Sequence, residues 1–203
     1  ANGQNWLFPT YDWQAMEQDH FKWWKNRFAK LGDYFDCFRI DHILGFFRIW
    51  EVPCEYVQGL CGHFNPALPF SKEEIEQYGL PFNEARFTTP HINRCFLPEL
   101  FGDSTDEVVD AYLAQSSSNH YVLKYFCNTQ QKIEALFADK LDAASQRIKL
   151  GLFAIANEVL FLRDPKQPER FHPRISANHS YIYRELSHSD RQAFDQLYWH
   201  FFY

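Results

Sequence analysis

An amphipathic stripe of helical length runs straight into a short apolar segment that ends on a carboxylate, and this juxtaposition limits the fold more than any other feature of the chain. Met16, Phe21, Trp24, Phe28 and Leu31 recur at steps of three to five, which predicts a helix from about Gln14 to Leu31 with Gly32 as its stop. Cys37 to Ile40 is then too short for a helix and apolar enough for a strand buried on both faces, delivering Asp41 to a rim. A helix feeding a buried strand is half of a repeating α/β unit, so an α/β class is expected.

The rest of the chain is less regular. The opening up to Trp13 is rich in Asn, Gly, Pro and Trp and predicts an ordered loop. From Pro53 to about Arg94, prolines and turn residues surround one clear helix, Ser71 to Tyr78, where Ser71 caps and Glu74 holds the capping-box position. A helix is predicted over Thr105–Ala114, a break at Ser116–Asn119 and a strand over Tyr121–Phe126. A long amphipathic helix follows over Thr129–Leu150, then an apolar strand over Val159–Arg163. Lys166–Ser180 carries two prolines and several polar residues and is expected on the surface, and Ser187 caps a terminal helix. That helix runs to Tyr203 in mid-pattern, which together with the loop-like beginning suggests a piece of a longer protein.

Composition closes several classes. A formal charge of −6 argues against nucleic acid as a partner. Even the most apolar stretch, Leu150 to Leu162, is interrupted by charge and falls short of the ~18 residues a membrane helix needs, so no membrane partner is expected. Cys37, Cys54, Cys61, Cys95 and Cys127 are an odd set without framework spacing, which fits a reducing, cytoplasmic compartment. Cys61 and His63, with Cys54 nearby, could be imagined as a metal corner, but they lack metal-ligand spacing; ordinary thiols are the better reading and no metal is expected. No Gly-rich phosphate loop or internal repeat occurs. Phe, Tyr and Trp make up 19% of the chain, more than a core requires, so many rings must line a cleft or a partly exposed surface, where sugar rings and flat apolar molecules are natural ligands.

The densest chemistry is Arg39-Ile40-Asp41-His42. On a strand, Arg39 and Asp41 face the same side, and a guanidinium there would keep the carboxylate ionised and oriented, as a nucleophile requires. Taken alone, an R-x-D pair is more often a structural ion pair.

The segment FRIDHILGFFRIWEVP, the upstream loop GQNWLFPTYDW and the Trp23-Trp24 pair between them resemble the 4-α-glucanotransferases of glycoside hydrolase family 77. The runs GLCGHFNPALPFSKEEIEQYGL and FHPRISANHSYIYREL resemble the subtype that uses maltose and a branched glucan. The resemblance covers nearly the whole chain. It implies a cofactor-free retaining transfer of α-1,4-glucosyl units from maltose or maltodextrin to a glucan or sugar acceptor, through a covalent glucosyl-aspartate. The implied fold is a helix-rich fragment of a (β/α)₈ TIM barrel with an inserted, mostly helical subdomain: residues 1–52 a barrel segment, 53–170 the insertion and 171–203 a loop and helix returning to the barrel.

Asp41 matches the family's nucleophile and Arg39 the arginine that holds it; His42 is either a sugar ligand or a strand-end histidine bonded to backbone. Gln4, Asn5, Trp6, Pro9 and Tyr11 match a segment that lines the glucan cleft, with Trp13 as an anchor, and Trp50 and Glu51 match a cleft-wall element. Relatives commonly carry glycine after the tryptophan, where this chain has Leu7. The family's acid/base glutamate lies in an E-D-L-G-type motif that does not occur here, and the transition-state-stabilising aspartate is not identifiable either, so the chain alone is expected to be inactive. An uncovered barrel edge would favour self-association. Two further readings are a non-catalytic carbohydrate-binding module built on Trp6 and a helical interaction domain.

Overall fold

The computed structural model describes residues 2–203. The expected first helix is two helices, α1 (Trp13–Gln18) and α2 (Lys22–Gly32). Asp12 caps the first by accepting from the Ala15 amide. Between them His20 and Phe21 sit at φ of 56° and 57°, and Asp19 accepts from the Lys22 amide. An aspartate that bonds a backbone amide three residues on offers the chain a cap where a continuous helix would have run. Neither helix buries a residue. Ring stacking holds the pair instead: Trp24 lies 5.3 Å from Phe28 at 25°, and Phe28 lies 4.9 Å from Phe38 at 20°.

Cys37–Ile40 is a second correction, for it forms no strand and its residues are exposed. A doubly buried parallel strand takes its hydrogen bonds and cover from neighbouring strands, and no strand among the described residues pairs with it. The first strands are β1 (Ile49–Glu51) and β2 (His63–Asn65), which pair antiparallel with Trp50 opposite Phe64.

The next elements are β3 (Phe70–Ser71), α3 (Lys72–Gln77) and α4 (Glu84–Thr88). The expected capping box at α3 is present in both directions, Ser71 Oγ accepting from the Glu74 amide and Glu74 Oε2 from the Ser71 amide. Then come β4 (Ile92–Asn93), α5 (Leu97–Phe101), α6 (Thr105–Tyr112), β5 (Leu113–Gln115) and β6 (His120–Leu123), with β6 central in a three-stranded antiparallel sheet. The expected long helix after Thr129 is again broken, into α7 (Gln130–Leu136) and α8 (Ala143–Ala156). Phe137 turns into the core and Asp142 caps α8 by accepting from the Ser145 amide, so the two helices pack on each other.

The chain continues through β7 (Phe161–Arg163), β8 (Arg170–Pro173), α9 (Tyr181–Arg184) and α10 (His188–Phe202), the last capped by Ser187 as expected. The expected surface excursion from Lys166 is corrected by β8, which is the central strand of the sheet β3-β8-β7 and buries Phe171, His172 and Pro173. Prolines at the strand's end and in the preceding turn hid it from composition.

Two hydrophobic cores result. One joins β3, β7 and β8 with α3, α9 and α10 through residues such as Ile75, Phe161, Phe171, Ile182 and Phe194. The other joins β4–β6 with α5–α8 through Ile92, Phe101, Val108, Ile133 and Leu152. Gly151 on α8 admits Phe101 so closely that a Cβ there would stand 2.3 Å from the ring. No described residue before Cys61 is buried. The fold is thus mixed helix with small antiparallel sheets, and no closed barrel is formed among the described residues. No helix among them is long and apolar enough to cross a membrane.

Candidate active site

The N-terminal loop is fixed before any ligand is considered. Asn5 is the pin: its side-chain amide donates to the carbonyls of Tyr56 at 2.8 Å and Pro53 at 3.2 Å, and its Oδ1 accepts from the Leu7 amide at 2.9 Å. Its backbone amide donates to Val57 O, and Gly59 N donates to Asn2 O. Asn5, expected to bind sugar hydroxyls, therefore has its hydrogen-bonding groups engaged by the protein. Leu7 sits at φ 57°, the left-handed region that favours glycine.

Behind the loop, Gln130 is fully buried and its Oε1 accepts from the amides of both Val57 and Gln58 at 2.9 Å. Its Nε2 donates to Phe153 O and Asn157 Oδ1, while Asn157 donates to Gln58 Oε1 and the Cys61 thiol donates to Asn157. This network couples residues 55–61 to α7 and α8, and it escaped sequence reading because its members lie up to 99 residues apart. Beside it, burial pushes the Glu158 carboxyl up to about 6, against the opposing pull of the Ile182 amide and the Arg174 guanidinium. Burial likewise raises the Cys61 thiol to about 11, with Arg174 opposing. Cys61 is thus an unreactive packing residue, and Cys54, Cys61 and His63 form no metal cluster among the described residues.

Loop and β1 together enclose a cleft of about 690 Å³. It brings together Gln4, Asn5, Trp6, Pro9, Trp50 and Glu51 of the expected site. Trp6 and Phe8 stand 70% and 78% exposed with rings edge to face, which leaves an indole face open to a flat apolar ligand. Gln4 Oε1 accepts from the Trp6 indole N–H at 3.1 Å and so sets that ring's direction. Trp50 donates to Gly59 O, and Gly62 allows the approach: a Cβ there would meet Trp50 Nε1 at 2.3 Å and Glu51 O at 2.7 Å. Glu51 Oε1 accepts from Thr10 Oγ1 at 2.8 Å and Asn65 Nδ2 at 2.9 Å.

His63, which the sequence offered only as a metal-corner candidate, lines the cleft and stacks on His172 with ring centres 4.6 Å apart. Burial keeps His172 below the usual histidine range, Asp164 opposing at 2.8 Å. A histidine in this setting stays neutral near pH 7.

Four expected residues lie outside the cleft lining. Tyr11 packs in an aromatic cluster, 5.1 Å from Trp13, 5.8 Å from Trp23 and 5.3 Å from Trp24. Arg39 and Asp41 meet at 3.6 Å, with side chains 89% and 90% exposed. His42 is at φ 49° and precedes a 3₁₀ turn, Ile43–Phe46, with its ring over Gly45. The arrangement offers a solvent-facing carboxylate held by a guanidinium, and an aromatic cleft with a fixed hydrogen-bonding rim.

The family profile described as 4-alpha-glucanotransferase, glycoside hydrolase family 77, matches residues 1–200. The rice (Oryza sativa subsp. japonica) 4-alpha-glucanotransferase DPE2 is 35% identical over 211 residues, covering 100% of this chain and 22% of that protein. The 4-alpha-glucanotransferase of Streptococcus pneumoniae serotype 4 is 47% identical over 100 residues, 45% of this chain and 19% of the relative. The potato (Solanum tuberosum) chloroplastic/amyloplastic enzyme is 48% identical over 79 residues, 38% of this chain and 14% of that protein. The chain therefore spans about a fifth or less of these relatives. No solved structure matches it.

Proposed function

The chain belongs to glycoside hydrolase family 77, the 4-alpha-glucanotransferases, and from that premise we propose that it carries the nucleophile of a retaining glucosyl transfer. A carboxylate oxygen of Asp41 attacks the anomeric carbon of a maltose or maltodextrin donor, and the bond to the glycosidic oxygen breaks as that oxygen takes a proton from a second carboxyl group. A hydroxyl of a glucan or sugar acceptor then displaces Asp41 and returns a proton to the same group. Arg39 orients and charge-balances the nucleophile, and His42 stands beside it. Gln4, Trp6, Pro9, Trp50 and Glu51 bind the donor chain, with Asn5 positioning the loop. The acid/base carboxyl comes from outside these residues, since no E-D-L-G-type motif occurs in them. No cofactor takes part.

The observation that carries this reading is the meeting of Arg39 and Asp41 at 3.6 Å, both open to solvent, in a chain matched by the family over residues 1–200. The same reading makes residues 1–52 part of a (β/α)₈ barrel, 53–170 an inserted subdomain and 171–203 the return to the barrel. Exposed Phe35, Phe38 and Ile40 support it, because barrel strands contributed by the rest of the protein would cover them. Isolated, that face would drive self-association. Five free thiols support a cytoplasmic location.

The test is the full-length protein acting on maltodextrin, with products resolved by chain length. Glucose and longer oligosaccharides are expected, and Asp41→Asn should reduce turnover by on the order of 10⁴-fold or more, as loss of a nucleophile does. Undiminished transfer by that variant would remove Asp41 from the mechanism and favour a binding role for this segment.

A further inference from the structure

Away from the cleft, His91, His120 and Glu185 bring one ligand atom each within 4.8 Å of the others. We propose that His91 Nε2, His120 Nε2 and the Glu185 carboxylate form a site for a divalent transition-metal ion, zinc fitting the donor set best.

Each donor is set by a neighbour. His91 Nδ1 lies 2.9 Å from the Thr89 carbonyl, which only accepts, so Nδ1 carries the hydrogen and Nε2 presents its lone pair. His120 Nδ1 lies 3.3 Å from Ser117 Oγ, a hydroxyl that accepts from it when Nε2 serves as ligand. Asn93 Nδ2 donates to Glu185 Oε1 at 2.8 Å and holds the carboxylate in place. A ring N–H given to a carbonyl or hydroxyl, with the carboxylate itself hydrogen-bonded, is the supporting shell that metal-binding imidazoles have.

The spacing also fits. Bonds of about 2.0–2.1 Å around tetrahedral zinc give ligand separations of roughly 3.3 Å. His120 Nε2 is 3.2 Å from both Glu185 oxygens. In the metal-free protein that contact is an N–H donated to the carboxylate; the ion takes the place of this hydrogen, which exchanges through solvent to Nδ1, where Ser117 Oγ accepts it. A torsional swing of half-buried His91 closes the third side. Two imidazoles and one carboxylate suit zinc with a water in the fourth position.

The donors come from both halves of the packing. His91 directly precedes β4 and His120 lies on β6, opposite Asn93, in the sheet of one core. Glu185 follows α9, whose Ile182 belongs to the other core. An ion here would clamp the two together.

The experiment uses the full-length protein, stripped with chelator and titrated with zinc and, separately, cobalt. The wild type should retain one more zinc per chain than a His91→Ala/His120→Ala double variant, and zinc should raise the melting temperature of the wild type alone. Because the double variant removes two packed rings, Glu185→Gln is the second arm: it keeps an acceptor for Asn93, and should lower zinc affinity tenfold or more. It should also weaken the visible absorption of tetrahedral cobalt. Zinc stoichiometry equal in wild type and double variant, or zinc affinity and cobalt spectrum unaltered by Glu185→Gln, overturns the site.

Discussion

At the scale of single residues, buried polar groups decide more than the exposed ones that first attract notice. Asn5 has the side chain of a sugar ligand, yet its three hydrogen bonds to the protein make it the pin of the loop. Glu158 has a consequence for stability. Its carboxyl, normally near 4.5, titrates at about 6 in the folded chain, so between those values the folded state holds more proton than the unfolded one. Its contribution is favourable below 4.5 and falls as pH rises through about 6. The unfolding free energy of the wild type minus that of Glu158→Gln is therefore expected to drop by about 2 kcal/mol across this window. Urea titrations on both sides of it measure the drop, and a pH-independent difference would contradict the assignment. Arg39 and Asp41 were legible as a pair because an i, i+2 spacing brings side chains together in any extended backbone.

At the scale of elements, periodicity located the helices and caps set their lengths. The stripes over Gln14–Leu31 and Thr129–Leu150 each continue through a break, because Asp19 and Asp142 bond the amide three residues on. Both aspartates stand in the sequence, but the apolar stripe on either side masks them. The Ser71 and Ser187 caps, which precede their helices instead of interrupting them, were legible. The cleft wall depends on an element the sequence did not connect to it, since α7 holds Val57 and Gln58 through Gln130. Gln130→Leu leaves those two amides without their acceptor and is expected to cost roughly 2–6 kcal/mol, at about 1–3 kcal/mol for each orphaned donor. The shift of the urea midpoint reports it, and a change within about 0.5 kcal/mol would show that the network does not support the wall.

At the scale of the whole molecule, stability is uneven. Both cores lie beyond residue 60, while α1 and α2 bury nothing and rest on ring contacts. Hydrogen exchange of this 203-residue chain should accordingly reach the amides of α2 well before those of α8, whose Leu152 and Ile155 are fully buried. Equal protection would mean that the aromatic cluster is a core of its own. The sequence by itself determined the family, the Arg39–Asp41 pair, the aromatic lining and the local caps, because each rests on side chains a few residues apart and on chemistry the chain carries wherever it folds. Only the tertiary structure decided that residues 37–40 remain unpaired, that β8 is a buried central strand, and which distant histidines and glutamate face one another. Strand pairing and long-range polar contacts depend on which surfaces other segments cover, and no local pattern records that.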